Sequence, residues 1–217
     1  MAFAPLIDIL GSIIVGGTIL LILLKTNDST VENHYLNSSE FVVQSNLISI
    51  VELFEHDLRK IGYCEDWQNL PDPTVSIIEA TENSISFLTD VAVSVNEQTG
   101  DGNVDVIKYW IGSLNDTKVS GTPNLKDRLL YRQVNNETPL SANLGLTQFD
   151  LKYFDAQGEM ITSMPTSPPL GIITLQIDIT VENTAAYGDE AEGDVYSKDK
   201  SAFWRQIRLA APSLGNR

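Results

Sequence analysis

The chain has 217 residues, with 29 acidic against 14 basic side chains, a net charge of −15 and a single cysteine. That charge argues against nucleic acid and against the anionic membrane surface as partners, since both carry the same sign. One cysteine excludes an intramolecular disulfide and a Cys-based zinc site, so a folded domain here must be held together by its core.

The chain opens on an uncharged run, Ile9 to Leu24, preceded by Leu6, Ile7 and Asp8 and closed by Lys25. Counted from Leu6 this is about 19 residues, close to the roughly 20 that a helix needs to cross a bilayer. The start Met1-Ala2-Phe3-Ala4 lacks a basic residue, and the run ends on Lys25-Thr26-Asn27 without a small-residue cleavage site. A retained anchor is therefore favoured over a cleaved secretory signal. Gly11, Gly16 and Gly17, with Leu20, are the residues expected to meet neighbouring helices, because small side chains let transmembrane helices approach closely. Ordinary tolerance of glycine in a bilayer explains the three glycines equally well.

Thr26 to Glu40 is polar and reads either as a continued helix or as a local break. It holds two of the four Asn-x-Ser/Thr patterns, at Asn27 and Asn37; the others begin at Asn115 and Asn136. Patterns so short arise by chance in Asn-rich loops and are assigned no function. From Glu40 to Tyr63, Leu47, Ile50, Val51, Phe54, Leu58 and Ile61 recur at spacings of three and four, with Glu52, Glu55, His56, Arg59 and Lys60 on the other side. This predicts an amphipathic helix whose stripe, Leu47, Val51, Phe54, Leu58 and Ile61 above all, packs on a head. Gly62 is the expected terminator, Arg59 and Lys60 fall in the last turn, and His56 reads as a solvated residue. Cys64 reads as a buried small hydrophobe.

Beyond Tyr63 the period becomes two. Strands are predicted at 84–88, 91–95, 104–110, 129–134, 147–154, 172–181 and 202–209. In the clearest, Ile173, Leu175, Ile177, Ile179 and Val181 alternate with Thr174, Gln176, Asp178 and Thr180, one face dry and one wet. The Pro-rich turn 164–169, the acidic loop 187–199 and the irregular tail 210–217 are read as surface.

Several stretches resemble the minor type IV pilins and the secretion pseudopilins of the W and J kind. Phe54-Glu55-His56-Asp57-Leu58-Arg59-Lys60-Ile61-Gly62-Tyr63-Cys64 looks like the end of that family's first helix. Leu146-Thr147-Gln148-Phe149-Asp150-Leu151-Lys152-Tyr153-Phe154-Asp155-Ala156-Gln157-Gly158 is similar to a strand and turn late in its head. Asp101-Gly102-Asn103-Val104-Asp105-Val106-Ile107-Lys108-Tyr109, with Leu129-Leu130-Tyr131-Arg132, is similar to its middle hairpin. The resemblance implies a pilin-like α+β fold, a long N-terminal helix on an antiparallel sheet. It also implies a carboxylate five residues into the mature helix that meets a neighbour's amino terminus. The family's Gly-Phe-Thr-Leu-like leader end and its glutamate are missing here, but Asp8 would be fifth if the chain began at Ala4.

The expected organisation is a transmembrane or filament-core helix at 1–25, its amphipathic continuation at 26–63 and a β-rich head at 64–217. The expected function is a filament subunit that self-associates through its helix, with a membrane-anchored adhesion or binding module as the alternative. An enzyme is disfavoured, because no Ser-His-Asp set, phosphate-cradling glycine loop or Cys/His ligand set stands out. Asp101, Asn103 and Asp105 have the alternate spacing of a half calcium loop, although the further bidentate acid is missing and a plain hairpin turn accounts for the spacing. No other cofactor is suggested.

Overall fold

The computed structural model describes residues 3–72, 74–91, 100–116, 122, 124–162, 169–184, 202–210 and 214. The predicted strand at 91–95, the Pro-rich turn, the acidic loop and most of the tail lie outside these residues, apart from Val91, which is not in a strand, and Pro169, which is buried rather than at the surface. The chain divides into two compact units, Met1–Phe41 and Val42–Arg217.

One α-helix, α1 (Phe3–Leu58), runs without interruption through the polar segment 26–40, so no break follows the apolar run. In the first unit every Leu, Ile and Val from Leu6 to Leu24 is more than half exposed. Helical hydroxyls are absorbed locally: Ser12 donates to the Ile9 carbonyl and Thr18 to the Val15 carbonyl, both at 2.8 Å. Such back-bonding leaves the apolar stretch with little to offer water.

In the second unit the helix turns a dry stripe to a sheet. Val43, Leu47, Ile50, Val51, Phe54 and Leu58 are all buried. The α-helix stops at Leu58, five residues short of the predicted end. Its last turns tighten into three-residue bonds, Lys60 N–H to Asp57 and Ile61 N–H to Leu58. Arg59 and Lys60 therefore lie just past the helix. Gly62, at φ +71°, makes the left-handed exit and ties its N–H to the Leu88 carbonyl at 2.7 Å.

Among the described residues a short 3-10 turn (Trp67–Asn69) precedes seven strands. They are β1 (Ile77–Ala80), β2 (Ser84–Thr89), β3 (Asp105–Ile111), β4 (Arg128–Val134), β5 (Leu140–Phe154), β6 (Thr174–Glu182) and β7 (Ala202–Ala210). They form one sheet in sequence order, each antiparallel to the next, leaving β1 and β7 at the edges. β1 was not predicted, and β5 begins seven residues before its predicted start.

The dry face follows the alternation. Leu175, Ile177, Ile179 and Val181 of β6 join Phe149, Leu151 and Tyr153 of β5, and the helix stripe, in one cluster. Phe54 is its centre, 4.8 Å from the Tyr109 ring and 5.2 Å from Phe149. The protein is thus α+β, a helix packed on one face of a seven-stranded antiparallel meander.

Candidate functional site

The feature with the greatest capacity for interaction is the apolar half of α1. It is long and apolar enough to cross a membrane by length and composition. Asp8 and Leu20 are exposed on it, and a side chain placed at Gly11, Gly16 or Gly17 would meet open space. Gly16 and Leu20 lie one turn apart on the same helix face. A helix apolar all round has no face to turn to water, so it needs lipid or other helices on every side.

At the far end of the helix, Asp57 sits within the dry stripe, one turn after Phe54. Its side chain is 5% exposed, and its Oδ2 accepts from the Tyr109 hydroxyl at 2.5 Å and from Arg132 Nε at 2.8 Å. His56 Nδ1 lies 2.9 Å from its Oδ1, so His56, though mostly exposed, is not merely solvated. Burial alone would raise the Asp57 carboxyl; the hydrogen bonds from Arg132, Tyr109 and His56, with the guanidinium charge, outweigh it and hold the group below the ordinary carboxylate value. Burial, reinforced by the Asp57 charge, drives the Tyr109 hydroxyl well above its usual range. The arrangement is a clamp between helix, β3 and β4. The sequence signal for it was an acid at a stripe position, where only apolar residues were expected.

Asp101 and Asp105 come together with Asp90, their carboxylate oxygens within 4.8 Å of one another. All three are engaged by the chain. Asp90, fully buried, accepts from the backbone N–H groups of Glu65 (3.0 Å), Asp101 (2.8 Å) and Gly102 (3.0 Å). Asp101 accepts from the Asn103 N–H at 2.8 Å, and Asp105 from Val91 N–H at 3.0 Å and Asn135 Nδ2 at 2.6 Å. Asn103 contributes its backbone to this turn. Cys64 lies beside it, donating from Sγ to the Asp66 carbonyl at 3.1 Å.

Another buried acid is not so engaged. Asp127, immediately before β4, is 2% exposed, and neither carboxylate oxygen meets a hydrogen-bonding partner. Burial pushes its carboxyl up from the ordinary value; Thr122 and Asn143 beside it pull the other way without reaching hydrogen-bond geometry, and the Glu182 carboxylate adds to the rise. No motif marked this residue, because its neighbours are up to 55 positions away (182 − 127).

On the face of the sheet away from the helix, Asp178 is buried rather than wet, and it accepts from Lys152 Nζ at 2.7 Å and Gln206 Nε2 at 2.9 Å, which links β5, β6 and β7. Among the described residues the head carries two shallow hollows. One, of about 440 Å³, is bordered by Asn83, Lys108, Trp110 and Gln133, and the other, of about 340 Å³, by Glu82, Lys152, Tyr153 and Met160.

No protein-family model matches the chain, and no curated protein matches it in sequence. Among solved structures, it is similar to a type IV-like pilin from Thermus thermophilus. The identity is 11% and the TM-score 0.44, over 79% of this chain and 96% of that one.

Proposed function

We propose that this chain is a structural subunit of a type IV pilus-like filament or secretion pseudopilus, stored in a membrane by α1 and assembled through it. The observation that supports the reading most directly is the exposure of every large aliphatic residue from Leu6 to Leu24 on all sides of one helix. Each such side chain gains about 1.5–3 kcal/mol on full burial, so the stretch remains in lipid until equivalent helices replace the lipid. Asp8 then pairs with a neighbour's amino terminus, since an unpaired acid in hydrocarbon is costly. Gly11, Gly16 and Gly17 let the helices close up. The head, on this reading, lies outside the cell and supplies surface, and no reaction is required of it.

Electron microscopy of material sheared from cells, with mass spectrometry of the N-terminus of this chain within it, tests the proposal. Fibres built of the chain are the expected result. A chain that stays with the membrane fraction, with fibres lacking it, would replace the proposal by a single-pass adhesion or binding module.

A further inference from the structure

Tyr109 of β3 packs against Phe54 of the helix, so its neighbours Lys108 and Trp110 stand on the face of the sheet away from α1. There Trp110 lies opposite Ser84 of β2 on one side and Tyr131 of β4 on the other. The indole stacks on the Tyr131 ring, with centroids 5.1 Å apart and planes 5° from parallel, and the Tyr131 hydroxyl donates to Asp116. One face of the indole is thereby occupied. The opposite face is turned toward β2, where Ser84 is too short to cover it, and the space left there is the hollow of about 440 Å³.

The polar groups around that face are neutral and in part unengaged. Asn83, exposed in the turn between β1 and β2, uses its backbone N–H on Thr81, while its side-chain amide meets no partner among the described residues. Gln133 gives its amide N–H to the Glu137 carbonyl at 2.9 Å, which leaves its Oε1 to accept. The Trp110 Nε1–H has no partner among the described residues and is not shut away from water. The charges at the rim are already matched, since Lys108 Nζ lies 2.7 Å from Glu79 Oε2. An anionic ligand would have to break that pair and approach a chain of net charge −15. An ammonium ligand would find its carboxylate taken.

We propose that this hollow binds a neutral saccharide, with one pyranose ring laid on the open face of Trp110 and its hydroxyls on Asn83 and Gln133. A pyranose has an apolar face of C–H groups and a rim of hydroxyls that both donate and accept. The electron-rich face of an indole attracts polarised C–H groups, and side-chain amides match hydroxyls in both senses. The volume falls within the roughly 300–1,000 Å³ of small-ligand sites, and the openness of the hollow suits one ring of a longer glycan. A nucleobase could stack on the same indole, but in a nucleic acid it comes attached to a polyanion that the chain repels. The site is built by β2, β3 and β4 alone, so it stands whether or not the chain forms filaments.

The test is saturation-transfer NMR of the full chain in a sugar-free zwitterionic detergent, with empty micelles as the blank. The probes are neutral disaccharides of glucose, galactose, mannose and N-acetylglucosamine, with sialyllactose as the acidic counterpart of lactose. Transfer to the C–H protons of one ring face of a neutral disaccharide is expected. Trp110→Ala should weaken that binding by about tenfold or more, and Asn83→Ala by about threefold. Trp204→Ala, which removes the more exposed indole on β7, should leave it unchanged. Thermal melting shows whether Trp110→Ala still folds; Asn83→Ala breaks no side-chain bond within the described chain and so decides the question independently. No transfer to any neutral saccharide, stronger transfer to sialyllactose than to lactose, unchanged affinity in Asn83→Ala, or binding that survives Trp110→Ala or is lost in Trp204→Ala would each overturn the proposal.

Discussion

Tyr109 of β3 donates a 2.5 Å hydrogen bond to Asp57 of the helix, and Arg132 Nε, 2.8 Å from the same oxygen, also lies 2.9 Å from the Tyr109 hydroxyl. Three groups from three elements thus share one oxygen in the core. Arg132→Met should destabilise the head by about 3–5 kcal/mol, because it strands a buried carboxylate, and Tyr109→Phe by about 1–3 kcal/mol. If the three act as a unit, the double variant Asp57→Leu/Arg132→Met will lose less than the sum of the single losses, by about 0.5–3 kcal/mol. Urea unfolding of the four proteins completes the cycle, and strictly additive losses would refute the clamp.

The same clamp sets a dependence on pH. Asp57 is held below the ordinary carboxylate value in the folded chain, as is Asp178, where hydrogen bonds from Lys152 and Gln206 outweigh the effect of burial. The unfolded chain therefore takes up protons first on acidification, from about pH 4, the usual aspartate value. The contribution to stability is whole above that pH and is lost as pH falls through the lower folded value. Melting temperature followed from pH 7 to pH 2.5 should fall more steeply below about pH 5 in the natural chain than in Asp57→Asn. Parallel curves would mean that Asp57 titrates normally.

Gly145 offers a cleaner test of backbone geometry. It holds φ +73° inside β5, where the pairing with β4 shifts register, and a Cβ there would collide with the Glu182 carbonyl. Gly145→Ala combines left-handed strain with that collision and should cost about 2 kcal/mol or more. Hydrogen exchange should show the loss concentrated at the β5–β6 pairing around Leu146 and Val181. A melting temperature equal to that of the natural chain would show that the bulge is easily rearranged.

These positions also show what the sequence made legible. The helix stripe and six of the seven strands follow from period, since burial on one face imposes spacing of three and four in α1 and alternation in β6. β1 escaped notice because Ile77-Ile78-Glu79-Ala80 is too short to alternate. The start of β5 escaped because Ser141, Ala142 and Asn143 are exposed and Gly145 interrupts the run. The helix end was placed late because the apolar spacing continues to Ile61 through turns that are no longer α-helical. Buried polar groups were the least legible. Asp57 breaks a local pattern and so leaves a trace, whereas Asp127 meets Asn143 and Glu182 only after β4, β5 and β6 have paired.

The last prediction concerns Asp8, the one acid in the apolar run. It is exposed on α1 among Ile7, Ile9 and Leu10, where hydrocarbon would surround it. If its role is to pair with a neighbour's amino terminus, Asp8→Ala improves membrane insertion, by removing a charge that costs about 2.5–3.5 kcal/mol at a helix centre and less near its end. The same change removes the attraction that draws subunits into register. The expected phenotype is therefore split: full membrane retention of the chain, with the yield of sheared fibres reduced at least tenfold. Leu20→Asn, on the same helix but without the charge, should lower both only modestly. Equal fibre yields from Asp8→Ala and the natural chain would leave Asp8 a headgroup-level residue and place the assembly contacts on the apolar surface alone.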